Sequence, residues 1–478
     1  MQDNGMWYAG DDYDYFAQSS WIVFGQYPSY KHEYFTAMPQ GPKRSVGPGL
    51  LATPFVFIGS LIDRFEKAPI FVERNYNTIA GSWSQFGFII SSVFYLCLGC
   101  LLLYWSCLYV VKPFAASWAV ILMVICQGMP LYAFRRPIFS HATEFFLQSL
   151  MIYLFLRNAK AEGRFLDHWF RYTLVGALAA MIFLVRYNNV IIAVAWPLLF
   201  LSQQPYRGFK ECGSRLLCIV IPFTVLVVLF KLIPEVYNNY HPYSDAFSFI
   251  RVHAGIGEML KRLWNVFFGV DWGLVFTAPF LLLGVGALMK YKFPFKGSLW
   301  LMALPLSVNF YTIVFFGTQG GWYGYRYLIA SAFPVFVIPL AVLIERWQER
   351  MGVKILWLLG ILAVFPILSM LCFEGNESTT LHLIPQFFGR TDWSNDTYQI
   401  AVWKTLVHAH DFVQVVFKGG LYYISYICYV AKILPQHFNN YMNFLARYPC
   451  FEWKILLRVL IIYLMPFLVW RIFYHKRV

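Results

Sequence analysis

From residue 86 onward the chain runs in apolar blocks, each close to the roughly 20 residues that cross a hydrocarbon layer. That feature leaves few folds open. A backbone in lipid must satisfy its polar groups within each segment, so such spans must be helices. Eleven candidate spans lie at about 86–111, 114–134, 138–157, 169–185, 187–203, 214–234, 272–290, 298–316, 327–345, 355–372 and 456–473. The expected fold class is all-α: a polytopic membrane bundle of about eleven transmembrane helices with a small extracytoplasmic cap. Composition agrees. Of 478 residues, 59% are hydrophobic and 13% charged, and the mean hydropathy is +0.54. A soluble chain is nearer half apolar and a quarter charged. Aromatic residues reach 20%, as expected of lipid-facing and interfacial surfaces.

The formal charge of +14 raises the question of a nucleic-acid partner. The basic residues instead sit in short loops between apolar runs, which is the pattern of positive-inside topology, and no nucleic-acid partner is expected. Arg157, Lys160, Arg164 and Arg171 flank one loop; Arg207, Lys210 and Arg215 flank the next. Lys290, Lys292 and Lys296 mark a third, Arg346, Arg350 and Lys354 a fourth, and the chain closes on His475-Lys476-Arg477. With alternating spans all of these share one side, the cytoplasmic one. Segments 1–84, 135–141, 186–189, 235–271, 317–326 and 373–455 then lie outside. Residues 1–84 would cross ahead of the first span without a signal peptide. Either a leading helix is absent from this chain or the tail crosses by itself.

This topology divides the chain into a first extracytoplasmic loop (1–84), a transmembrane bundle (85–372), an extracytoplasmic C-terminal region (373–455) and a last helix with its tail (456–478). Within the first loop, Leu50 to Leu61 is apolar but too short to span. It reads as a helix on the membrane surface or packed on the bundle. Gly420 to Leu434 reads as a membrane-skimming or domain helix. No internal repeat is evident, and no metal-ligand spacing appears among the nine cysteines. Cys97, Cys100, Cys107 and Cys126 fall in spans, where a free thiol behaves as a small hydrophobe. Cys428 and Cys450 would be able to pair if their segment is outside.

The outer segments gather polar motifs. Asp11-Asp12-Tyr13-Asp14-Tyr15-Phe16-Ala17 opens the series. Adjacent acids on a helix point about 100° apart, so one can face a cleft while the other caps a helix or meets a base. Pro42-Lys43-Arg44-Ser45-Val46-Gly47-Pro48-Gly49-Leu50 is either a surface turn with snorkelling bases or an anion-facing loop. Arg135-Arg136-Pro137-Ile138-Phe139-Ser140-His141 stands at the mouth of a span, where a histidine serves as interfacial hydrogen-bonder or as a catalytic group. Glu144, one turn further in, is costly at that depth and implies a partner or a task. Leu184-Val185-Arg186-Tyr187-Asn188-Asn189 breaks two spans apart, and Gln319 to Leu328 brings Trp322, Tyr325 and Arg326 beside glycines that permit close backbone approach. These arginines sit outside, against the positive-inside bias, which suits them to an anion. A carboxylate can take a proton from a hydroxyl, and fixed cations with a histidine can stabilise a departing phosphate.

In this order the motifs resemble those of the GT-C glycosyltransferases, the polytopic class that uses polyprenyl-phosphate-linked sugars. The acidic pair followed by aromatics resembles the first external loop of that class. His32-Glu33-Tyr34 and Lys43 to Pro48 resemble the Asn-Glu-Tyr and Lys-Tyr-Pro-Ile-Gly-Pro stretches of a bacterial subgroup of mannosyl- and aminoarabinose-transferases. Arg135 to His141 resembles its Arg-Glu-Pro-x-x-Ser-His, Leu184 to Asn189 its Leu-Val-Arg-Pro-x-Asn, and Trp322 to Leu328 its Trp-x-x-Gly-Pro-Arg-x-Leu. Together they cover about the first 330 residues. Arg136 stands where the subgroup often has an acid, Tyr187 and Tyr325 replace prolines, and the span that usually precedes the acidic pair is missing.

The resemblance implies an inverting, metal-independent displacement on the extracytoplasmic side of a bacterial inner membrane. It implies Asp11 as general base, with Asp12 second, and Lys43, Arg186 and Arg326 on the donor phosphate. Asp14, Glu33, Arg135, Ser140, His141, Asn189, Trp322 and Tyr325 would position donor or acceptor in a cleft between cap and bundle. No cofactor is implied: the polyprenyl-phosphate sugar is a substrate, the acceptor is a glycan, lipid or protein hydroxyl of the cell envelope, and membrane lipid surrounds both. A transporter or flippase of lipid-linked sugars is the alternative, with ionisable groups near the bilayer midplane and two related halves. A ligase or polymerase of envelope polysaccharide is a third reading.

Overall fold

A computed structural model describes residues 11–25, 45–66, 83–130, 132–133, 140–160, 168–203, 209–232, 255–268, 273–316, 326–372 and 453–474. Among them the secondary structure is helical, with no strand. The helices are α1 (Asp11–Phe24), α2 (Gly47–Phe65), α3 (Trp83–Cys107), α4 (Pro113–Cys126), α5 (His141–Lys160), α6 (His168–Val185) and α7 (Val190–Ser202). They continue with α8 (Phe209–Val227), α9 (Ile256–Phe268), α10 (Pro279–Lys290), α11 (Lys296–Phe316), α12 (Arg326–Met351), α13 (Lys354–Cys372) and α14 (Trp453–Tyr474). Every apolar block read from the sequence overlaps one of these helices, and the 272–290 block holds a further short helix, Leu274–Thr277, ahead of α10. The differences are local. α4 stops at Cys126, ahead of Gly128, whose φ of 73° closes the turn. α8 passes into a π-helical segment, Val228–Leu232. Pro113 and Pro279 open α4 and α10, where a missing N–H costs no intrahelical bond.

The helices wrap a large apolar core in which Phe145, Phe155, Phe200, Phe280 and Phe333 are wholly buried, and Trp83, Phe86, Ile90 and Val93 form a smaller cluster beside it. Small residues bring backbones together. A Cβ on Gly176 of α6 would stand 2.2 Å from the Ile219 carbonyl oxygen of α8. Buried Cys107 and Cys126 act there as small apolar side chains; Cys428 and Cys450 lie outside the described residues, as does 420–434.

α2 is longer than the sequence reading and lies along the bundle. It runs antiparallel to the first half of α3. Asp63 meets Trp83, the Phe55 carbonyl meets Gly87, and Tyr95 donates its hydroxyl to the Leu51 carbonyl at 2.8 Å. The apolar residues of α2 that do not face α3, Phe57, Ile58, Leu61 and Phe65, are exposed. α5 lies parallel to α3 but starts beside its middle: Phe146 stacks near Tyr95 with ring centroids 4.9 Å apart, and Tyr153 lies near Trp105. Phe146, in the second turn of α5, is thus about 18 Å along α3 from Trp83, at 1.5 Å per residue.

Among the described residues two helical stretches, Phe86–Cys107 and Glu211–Leu232, are long and apolar enough to cross a membrane. They differ in surroundings: 78% of the first is buried within the fold, but only 17% of the second. Leu216, Leu217, Val220, Ile221, Val225 and Leu229 of the second are exposed at helical spacing. Water disfavours an apolar face of that extent, and monomeric soluble proteins rarely carry one.

Asp63 ties the α2–α3 hairpin. Its carboxylate, fully buried, accepts hydrogen bonds from the backbone N–H groups of Trp83 (2.7 Å) and Ser84 (2.8 Å) and from the Ser84 hydroxyl (2.5 Å). It therefore caps α3 from a distance of 20 residues in the chain. Asp63→Ala is expected to destabilise the protein by about 3 kcal/mol, and Asp63→Asn, which keeps one acceptor, by roughly half that. Thermal unfolding of the purified variants in detergent measures both.

Candidate functional site

The described parts of the first four motifs are chained together by contacts that are mostly made at backbone level. α1 begins at Asp11, so Asp11, Asp12 and Asp14 occupy its first turn, the positive end of the helix dipole. One turn on, the chain lies against the start of α2. Ser19 Oγ donates to the Gly49 carbonyl at 2.6 Å, and a Cβ on Gly49 would come within 2.5 Å of the Tyr15 carbonyl oxygen. Phe16 packs edge-on against Phe88 of α3, holding α1 across the hairpin.

The start of α2 in turn lies on the end of α6. Ser45 Oγ donates to the Val185 carbonyl at 2.8 Å. A Cβ on Gly47 would fall 2.4 Å from the Val185 nitrogen, so the two backbones touch where Gly47 stands. At the next residue α6 ends. Arg186 is extended, with φ of −157° and ψ of 113°, and a single 3-10 turn, Tyr187–Asn189, leads into α7.

This break is held by a carboxylate. Arg186 donates from one guanidinium NH₂ to Glu144 Oε2 at 3.0 Å, and Asn189 Nδ2 donates to Glu144 Oε1 at 2.7 Å. Glu144 and Asn189 are each 1% exposed, and the Arg186 side chain 13%. His141, also buried, has Nδ1 4.0 Å from Glu144 Oε2, and its ring tilts over Tyr132 at 4.5 Å between centroids. The buried Ser140 contributes its carbonyl, which accepts the Glu144 N–H at 2.9 Å and the Thr143 hydroxyl at 2.8 Å, and so starts α5. One turn below Glu144, Gln148 accepts from the Trp196 indole N–H at 3.0 Å, a second α5–α7 link. Lys231, on the π-helical segment, places its Nζ 4.9 Å from the centre of the Tyr187 ring.

The fifth motif arrives through α12, which Arg326 begins. Phe333, two turns into that helix, stacks on Phe145, the residue after Glu144, with ring centroids 5.0 Å apart. Of the residues singled out by sequence, Ser140, His141, Arg186 and Asn189 thus meet around one carboxylate. Asp11, Asp12 and Asp14 stand at the start of α1, which reaches that cluster through the start of α2 and the end of α6, and Arg326 starts α12, whose Phe333 packs on Phe145 beside it. Glu33, Lys43, Arg135, Trp322 and Tyr325 lie outside the described residues; Lys43 precedes the described Ser45 by two positions.

Glu144 is the centre of the cluster, and the sequence reading gave it no role in the site. Its spacing of three residues from His141 was the available signal, because that spacing puts both on one helix face. Ser19, Ser45 and Tyr132 carried no signal of their own. His141 and Glu144 lie level with the middle of α3 rather than with its beginning, because α3 starts well ahead of α5.

Gly47→Ala is expected to push the start of α2 away from α6, break the Ser45–Val185 bond and cost about 1–3 kcal/mol. Ser45→Ala, which removes the bond without adding volume, should cost about 1 kcal/mol. Comparing thermal midpoints of the two variants separates the steric contact from the hydrogen bond. No family model matches the chain, and no curated protein or solved structure matches it either.

Proposed function

We propose that this chain is a multi-pass bacterial inner-membrane glycosyltransferase of the GT-C kind. It moves a sugar from a polyprenyl-phosphate donor to a hydroxyl acceptor of the cell envelope on the extracytoplasmic side. The observation that carries the reading is a chain of contacts between distant motifs: α1 lies on Gly49, Ser45 and Gly47 lie on the end of α6, and Arg186 just beyond it pairs with Glu144 in the first turn of α5. That juxtaposition is what a transfer needs, since a base for the acceptor and cations for the leaving phosphate must act on the same carbon. The outward apolar faces of α8 and of the other spans supply the lipid-facing surface that a polyprenyl substrate requires.

On this reading Asp11 is the general base and Asp12 the alternative. Lys43, Arg186 and Arg326 hold the donor phosphate, and Asp14, Glu33, Arg135, Ser140, His141, Asn189, Trp322 and Tyr325 position donor or acceptor. Displacement at the sugar's first carbon breaks its bond to the phosphate oxygen and forms one to the acceptor oxygen. The acceptor proton passes to the aspartate, and the polyprenyl phosphate leaves as an anion. No metal or cofactor takes part in that scheme.

One observation favours a second reading. The Glu144–Arg186 pair lies level with the middle of α3, and ionisable groups at mid-depth are what a transporter or flippase of lipid-linked sugars uses.

One assay decides between them. The purified protein is incubated with labelled polyprenyl-phosphate sugars, with and without acceptor, and in parallel reconstituted in liposomes. Release of polyprenyl phosphate only when acceptor is present supports transfer; movement of intact lipid across the bilayer without release supports the flippase. In the transfer assay, Asp11→Asn is expected to lower turnover by about a hundredfold or more with unchanged thermal unfolding. Undiminished transfer by that variant removes Asp11 as the base.

A further inference from the structure

Glu144 has no place in the scheme above, yet no described side chain is tied to more of the candidate residues. Its carboxylate is almost wholly buried, level with the middle of an apolar helix. An isolated carboxylate there is costly, and it persists where it is paired and has a task. Both oxygens are engaged by one short stretch of chain: Oε2 by Arg186 and Oε1 by Asn189. That stretch is the extended residue and 3-10 turn between α6 and α7, where the backbone of Arg186 is tied to the Phe183 carbonyl at 3.1 Å and to the Asn189 N–H at 2.9 Å while its side chain turns to Glu144. The flanking restraint is Ser45 on Val185, which fixes the backbone just before Arg186 but not its side chain.

We propose that Glu144 is the positioning residue for Arg186: it anchors the guanidinium at a fixed place in the break, from which Arg186 meets the donor phosphate. This rests on the transferase reading for the identity of the anion, but not for the anchoring. A guanidinium carries several donors in a rigid plane, so one NH₂ group held by a carboxylate fixes the direction of the whole fork. Asn189 holds the other carboxylate oxygen and keeps Glu144 from turning away. A glutamate at this point therefore trades part of the cation's charge for a defined orientation.

The test uses Glu144→Gln, which keeps the shape and one carbonyl acceptor but removes the charge, together with Arg186→Ala and the double variant. On the full-length protein in detergent, Glu144→Gln is expected to raise the KM for the polyprenyl-phosphate sugar about tenfold. The acceptor KM should stay at the wild-type value, and Glu144→Asp should recover part of the loss. The double variant should be no worse than Arg186→Ala alone, because Glu144 acts through Arg186. An unchanged donor KM in Glu144→Gln, or losses that add in the double variant, would overturn the proposal. A merely structural glutamate would lower expression and thermal midpoint without that split.

A second readout needs no turnover. Phenylglyoxal modification of Arg186, followed by mass spectrometry of its peptide, should be severalfold faster in Glu144→Gln than in wild type. If the wild-type protein transfers no sugar but the labelling rises, the transferase reading fails and the anchoring stands. If the labelling is unchanged, the anchoring fails whatever the protein transfers.

Discussion

A carboxylate placed among apolar helices has to be neutralised from within the fold, and here one such group organises its neighbours. Glu144 draws Arg186 and Asn189 to itself, and in doing so fastens the break between α6 and α7 to the first turn of α5. The arrangement is stable only as a whole. Removing one partner leaves a buried charge uncompensated, which costs several kcal/mol in low-dielectric surroundings. The polar pair stands where α6 ends and α7 begins.

Around that pair the helices approach at the level of backbone rather than side chain. Gly47 lies on Val185, Gly49 on Tyr15, Gly87 on Phe55 and Gly176 on Ile219, each with no room for a Cβ. Where the surroundings of a helix are as apolar as its own side chains, transfer out of water no longer drives association, and close packing with interhelical hydrogen bonds takes over. Ser19, Ser45 and Tyr95 supply such bonds, each from a hydroxyl to a carbonyl of another helix. The same logic accounts for Asp63, which serves the free N–H groups at the head of α3 where no preceding turn can.

These contacts carry a consequence for the proposed chemistry. Side chains at helix starts are aimed by the helix behind them, and such sites are held more exactly than sites on loops. The aspartates open α1, His141 opens α5 and Arg326 opens α12. Arg186 instead stands in a break, and its side chain is fastened by the ion pair with Glu144.

Much of this could be read before any coordinates. The apolar blocks are long and uninterrupted, so their helical state and approximate limits follow from backbone hydrogen bonding alone; Trp83–Cys107, Lys296–Phe316 and Lys354–Cys372 are where the blocks place them. The polar motifs stand out against so apolar a background, and Glu144 was visible as a charge at a costly depth. What a linear reading cannot supply is lateral register. How far α3 slides past α5, and therefore how deep His141 and Glu144 sit, depends on which side chains meet across the interface, Tyr95 with Phe146 and Trp105 with Tyr153. The partner of Glu144 was likewise undetermined, because Arg186 is 42 residues away and several other cations were equally plausible by type. The sequence by itself determined the helices and the inventory of groups between them, since both follow from local chemistry. Only the tertiary structure decided which groups meet, because that is set by packing between residues far apart in the chain.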